Sequence, residues 1–162
     1  MLSQTTEYAL RAMSCLAYYP DQLTPTPQLA SMTKVPPNYL AKVLQLLAQH
    51  DLIIGRRGVG GGYRLAKAAT DITLLDVVAA IDPVERITSC PLGLANHGGE
   101  LCPLHCAVDQ AAERLISTFE GVTLQSLVDN DGASKPLCDE DLTSHFKLTV
   151  GQTGSSNGAA GG

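Results

Sequence analysis

Through the first fifty positions the apolar residues recur three and four apart, the spacing of one helical face. Leu10, Met13 and Ala17 fall on one stripe of a helix predicted over residues 4–19, with Tyr8 and Cys15 beside it and Pro20 closing it. A short second helix starts within residues 24–30, where Thr26 reads as the N-cap ahead of Pro27, and it ends near Thr33. After Val35-Pro36 a third helix runs to about Gln49. It buries Leu40, Val43, Leu44 and Leu47 and turns Asn38, Lys42 and Gln45 outward. The pattern then changes to two short apolar runs, Leu52 to Ile54 and Tyr63 to Leu65, around a glycine-dense loop carrying Arg56 and Arg57. That is the pattern of a β-hairpin. Helical spacing resumes over residues 73–81, closed by Asp82-Pro83, and again over a long helix at residues 103–120 and a short one at residues 122–128.

Two helices joined by a tight turn and followed at once by a hairpin make a helix-turn-helix with a wing. The expected fold is therefore mainly α with a small β-hairpin wing: a winged helix-turn-helix plus a long dimerisation helix. Residues 1–82 form the DNA-binding domain, 83–102 a cysteine-containing sensor loop and 103–129 the dimerisation region. Residues 130–162 read as a flexible, disordered tail, since they turn polar and end in glycine, serine and asparagine. Gly58, Gly60 and Gly61 do not form a dinucleotide loop, because no βαβ unit surrounds them. The apolar stripe of the long helix (Leu104, Val108, Ala111, Ala112, Leu115, Ile116, Phe119) is broad for an outer helix, and a second copy of the chain would cover it.

The net charge of −5 hides an asymmetry that favours this reading. Residues 1–70 carry seven Lys/Arg against three Asp/Glu, a balance of +4, and residues 71–162 carry a balance of −9. A basic front half faces a polyanion and an acidic back half faces away. Asn38, Lys42, Gln45, Arg56 and Arg57 are suited to phosphate or base-edge contacts. No apolar run approaches the ~20 residues of a membrane helix, and the start lacks the features of a signal peptide. The expectation is a cytoplasmic protein with no membrane partner, in which cysteines bind metal or respond to redox state rather than form structural disulfides.

The five cysteines are not equivalent. Cys15 lies among core positions and Cys138 in the expected tail. Cys90, Cys102 and Cys106 gather around the loop and the start of the long helix, with Cys102 at the N-cap before Pro103 and Cys106 one turn on. Three soft donors suit an iron–sulfur cluster or zinc, with a fourth ligand to be found and His97 and His105 nearby. Their spacing is not that of a zinc ribbon or ferredoxin, and thiols without metal, forming a regulatory disulfide, are the alternative.

Together these motifs resemble the bacterial winged helix-turn-helix regulators that include IscR and NsrR. The resemblance covers residues 1–128 and rests on Glu7-Tyr8-Ala9-Leu10-Arg11, Val35-Pro36 with Tyr39-Leu40, Arg57-Gly58-Val59-Gly60-Gly61-Gly62-Tyr63, and Ile72-Thr73-Leu74. It implies a homodimer that binds partly palindromic double-stranded promoter DNA and represses transcription. Its third helix, with Tyr39 and Lys42, would enter the major groove, and its wing, with Arg57, Gly60 and Tyr63, would reach the minor groove. It further implies that Cys90, Cys102 and Cys106 hold a [2Fe–2S] or [4Fe–4S] cluster that modulates DNA affinity, with Glu7 of the partner subunit as fourth ligand. A metal-free thiol switch, a regulator without cofactor and a protein-interaction module that never touches DNA are the competing readings. An enzyme using Cys102 or Cys106 with His105 as base is disfavoured, since such close neighbours on one helix seldom align for proton transfer.

Overall fold

The computed structural model describes residues 2–93 and 100–129. Six α-helices and one hairpin follow in chain order among the described residues: α1 Gln4–Ala17, α2 Thr26–Thr33, α3 Pro37–Gln49, β1 Ile53–Arg56, β2 Gly62–Leu65, α4 Leu74–Ile81, α5 Pro103–Glu120 and α6 Leu124–Val128. The mainly helical architecture with a winged hairpin is the expected one. His97, Cys138 and the tail expected over residues 130–162 lie outside the described residues.

Local chemistry sets the element ends. Ser3 caps α1, its hydroxyl accepting from the Thr6 amide at 3.2 Å. α2 begins one residue earlier than its prolines suggest: Pro25 is the N-cap and Thr26 the first helical residue, so Thr26 gives no side-chain cap. Thr73 and Asp76 form a reciprocal capping box at α4, with Asp76 N–H donating to Thr73 Oγ1 at 3.1 Å and Thr73 N–H to Asp76 Oδ2 at 2.8 Å.

The core lies where α1, α3, α4 and α6 meet. Met13 and Leu16 of α1, Leu40, Leu44 and Leu47 of α3, Val77 of α4 and Leu124 of α6 are fully enclosed. α3 buries the four residues its spacing assigns, Leu40, Val43, Leu44 and Leu47. The first helix turns further than its spacing suggests: Ala9, Ala12 and Leu16 fill the interface, whereas Leu10 stays half-exposed. The small alanines let neighbouring helices approach closely. The chain returns to this core after α5. Leu74 N–H donates to Val122 O and Leu124 N–H to Ile72 O, both at 2.9 Å, so the lead-ins to α4 and α6 pair as a short antiparallel bridge.

The hairpin is antiparallel, with Ile53 opposite Leu65 and Arg56 opposite Gly62. Thr24 pairs with Tyr63 as a third edge, through Thr24 N–H to Tyr63 O at 2.8 Å and Tyr63 N–H to Thr24 O at 2.9 Å. This pairing fixes the wing to the front of α2. It also explains Gly62, which stands at φ 153° with its Cα against the Thr24 carbonyl, where a Cβ would collide.

Candidate nucleic-acid interface and cysteine site

The outer face of α3 carries Asn38, Tyr39, Lys42 and Gln45, all exposed, opposite its buried leucines. Tyr39 is 57% exposed. Its ring meets the Tyr8 ring edge-on, with centroids 6.3 Å apart, and the Arg11 guanidinium lies 5.9 Å from the Tyr8 centroid. Gln4 Nε2 donates to Tyr8 Oη at 2.8 Å. The start of α1 is thus built into the flank of α3, an extension that residue spacing alone did not reveal.

Beyond the tight turn at His50 and Asp51 the wing begins. Arg56 and Arg57 differ in use. Arg56 Nη2 donates to Gly60 O at 3.0 Å and ties the end of β1 to the tip of the wing, with Gly61 N–H to Gly58 O, also 3.0 Å, closing the turn. Arg57 is exposed and has no hydrogen-bond or ion-pair partner among the described residues. A cleft of about 550 Å³ opens between the wing and the start of α2, with Thr26, Ala48 of α3, Arg56, Arg57 and Tyr63 on its walls. Two arginines beside a cleft bounded by glycine-rich backbone offer an anionic strand both charge and close approach. Gly60 lies at the exposed tip and Tyr63 is half-buried in β2.

Farther along the chain Cys102 is the N-cap of α5, but its side chain caps no amide. Its Sγ lies 3.3 Å from His105 Nδ1, and Gln110 Nε2 donates to Cys106 Sγ at 3.5 Å. Residues three apart on one helix therefore do align here, because the N-cap side chain folds back over the first turn. Cys90, Cys102 and Cys106 are free and partly exposed. Cys15 is a core thiol: burial pushes it up to about 12, and its Sγ donates to Met32 Sδ at 3.7 Å.

The expected ligand set is not assembled. Among the described residues no three His, Cys, Asp or Glu side chains gather closely enough to hold a metal ion. Cys102 and Cys106 share a helical turn, but Cys90 belongs to the preceding loop and does not complete the set with them. Glu7 sits on α1 with Oε1 3.0 Å from Arg11 Nε. These residues, as placed in a single chain, do not fit an iron–sulfur cluster.

An ion-pair cluster that sequence reasoning missed holds the loop before Cys90. Arg86 grips Asp109 of α5 with two hydrogen bonds, Nε to Oδ1 at 2.6 Å and Nη2 to Oδ2 at 2.7 Å. Its Nη1 also lies 3.2 Å from Glu113 Oε1, and Ile87 N–H donates to Asp109 Oδ1 at 2.9 Å. The Arg86 hydrogen bonds, with help from the Ile87 amide, hold the Asp109 carboxyl down at about 2 and push the guanidinium pKa up. Asp109 and Glu113 stand four apart on one helical face, a signal that could have pointed to a cationic partner.

Residues 2–130 match a family model described as Rrf2, iron-dependent transcriptional regulator. The HTH-type transcriptional regulator IscR of Erwinia tasmaniensis is 30% identical over 130 residues, covering 80% of this chain and 79% of that protein. The IscR of T. potens superposes with a TM-score of 0.65 at 18% identity, over 78% of this chain and 85% of its own. CymR, the global cysteine regulator of B. subtilis, does so with a TM-score of 0.64 at 20% identity, over 78% and 95%. At such identities the structural likeness is one of fold.

Proposed function

The chain belongs to the Rrf2 family of transcriptional regulators, and on that premise we propose that it is a homodimeric repressor whose grip on partly palindromic promoter DNA follows the state of its cysteines. It is a DNA-binding regulator and not an enzyme. Among the described residues no helix is long and apolar enough to cross a membrane, and the cytoplasm, where promoter DNA lies, is its proposed place.

The observation that carries the DNA contact is Arg57, exposed in the wall of the wing cleft and without a partner among the described residues, following in the chain an α3 face that bears Tyr39, Lys42 and Gln45. α3 reads base edges in the major groove, and Arg57 and Gly60 follow the adjoining backbone into the minor groove. Asn38, Arg56 and Tyr63 support that contact, Arg56 by keeping the wing closed. Binding by such a surface releases counterions from neutralised phosphates, so affinity falls as salt rises. Arg57→Ala is expected to weaken binding to promoter fragments and to flatten the plot of log affinity against log salt by about one. An unchanged slope would remove the wing from the interface.

The regulatory input is placed at Cys90, Cys102 and Cys106. What supports it is the position of two thiols in the first turn of α5, beside the loop that Arg86 clamps to the same helix. The iron–sulfur form of this reading draws on the family's description as iron-dependent. It requires Cys90, and Glu7 of the partner subunit, to come to that turn. Protein purified without oxygen decides between cluster and bare thiols through its visible spectrum and its iron and sulfide content. Colourless, iron-free protein whose DNA affinity is unmoved by Cys90→Ala, Cys102→Ala and Cys106→Ala would dismiss the sensor altogether.

A further inference from the structure

The turn between α2 and α3 ends α2 on a left-handed C-cap, a common way to stop a helix, but fills that position with a lysine rather than the usual glycine or asparagine. Lys34 is the C-cap of α2 at φ 55° and ψ 30°, in the left-handed region. Asp51 stands at the same φ in the turn after α3, but aspartate and asparagine visit that region several-fold more often than other residues, whereas lysine carries the full Cβ penalty. Glycine would sit there without strain. The Lys34 side chain is exposed and makes no hydrogen bond or ion pair with any described residue, and α3 has no acidic residue in its first turn to receive it.

The start of α3 is poor in backbone donors. Pro36 is its N-cap and Pro37 its first residue, and neither has an N–H. The Tyr39 and Leu40 amides both donate back to Pro36 O at 3.0 Å. A helix entering the major groove commonly docks a backbone phosphate on its first free amides. Here only Asn38 keeps such an amide uncommitted, so the positive charge at this approach must come from a side chain. Lys34, two residues before the N-cap, is the cation nearest in sequence.

We infer that Lys34 contacts a backbone phosphate of the DNA duplex beside the entry point of α3, replacing the amides that Pro36 and Pro37 remove, and that this contact retains a lysine where glycine would fold with less strain. The inference rests on the DNA-binding reading and adds a residue to it. The test uses the full chain and a duplex selected by that chain from a random-sequence pool. K34G and K34Q are each expected to weaken binding on the order of tenfold across sequences and to lower the salt slope by about one. K34R is expected to keep the slope. K34G is expected to melt at or above the wild-type temperature, and K34Q, which keeps the strained backbone, controls for any change in folding. Unchanged affinity and slope in K34Q, with Arg57→Ala still impaired, overturns the Lys34 contact alone. A wild-type chain whose binding shows no salt dependence overturns the DNA interface itself.

Discussion

Single residues in this chain divide by what surrounds them more than by their type. The cysteines illustrate it. Cys15 is enclosed and its thiol is pushed up to about 12 by burial, so at neutral pH it has neither access nor thiolate. Cys102 and Cys106 are partly exposed at a helix start, in contact with His105 and Gln110. A thiol reagent added to the native protein is expected to modify Cys102 and Cys106 quickly and to reach Cys15 only on unfolding; peptide mapping by mass spectrometry reads the order, and early labelling of Cys15 contradicts it. The burial of Cys15 also has a pH consequence. Its folded value lies above the ordinary 9.0, so its contribution to stability is complete below pH 9 and is lost as pH rises toward 12. Gly62 is constrained in the opposite sense, by space. A Cβ there would meet the Thr24 carbonyl, so Gly62→Ala should separate the wing from the front of α2. A loss of about 2 kcal/mol or more in denaturant unfolding, with weaker DNA binding, is expected.

At the scale of elements, the joint between the cysteine loop and α5 is electrostatic. Exposed ion pairs commonly contribute little, but Arg86 holds Asp109 with both carboxylate oxygens engaged, and the Asp109 side chain is only 14% exposed. The folded carboxyl lies at about 2 against an ordinary 3.8. A depressed acid stabilises the fold above its unfolded value, so this contribution is present above about pH 4 and disappears as pH falls toward 2. Melting temperatures of wild type and Asp109→Asn should therefore differ at neutral pH and converge across that acid interval. A constant gap would place the stabilisation elsewhere. Only the acidic side of this joint was legible in the sequence, as Asp109 and Glu113 one turn apart; Arg86 lies 23 positions from Asp109, and no periodicity links a loop arginine to a helix carboxylate. By contrast, α3 was legible to the residue, because Leu40, Val43, Leu44 and Leu47 face one core and the spacing of a helix is fixed. The first helix was less so: its alanines pack as tightly as larger residues, and composition gives them little weight. The α3 face and wing could be read from charge and glycine, but the division of labour between Arg56 and Arg57 could not, because it depends on a side chain folding back to Gly60 O.

For the whole molecule, the question is what an 18-residue helix with no buried residue is for. α5 lies outside the core that the other helices build, and its apolar positions remain open: Leu104 is 68% exposed and Val108 47%, while Leu115, Ile116 and Phe119 are half-covered along the same stripe. In the proposed dimer a second copy of the chain would cover this stripe. The charge split suits the proposed dimer, in which the basic front halves of two copies would face two half-sites and the acidic back halves would face away from them. Substituting Val108→Glu together with Leu115→Glu is thus expected to do two separable things. Sedimentation should show the species falling to the mass of one chain, while the melting of the helix-turn-helix core, which owes α5 no enclosed side chain, shifts little. DNA affinity should fall by far more than any single phosphate contact explains, because two linked half-site contacts become two independent ones. If the double variant sediments like the wild type and binds as tightly, the α5 stripe is not the dimer face. If instead the core melts much earlier, α5 is an internal support of the single chain, and the partner must be sought on another surface.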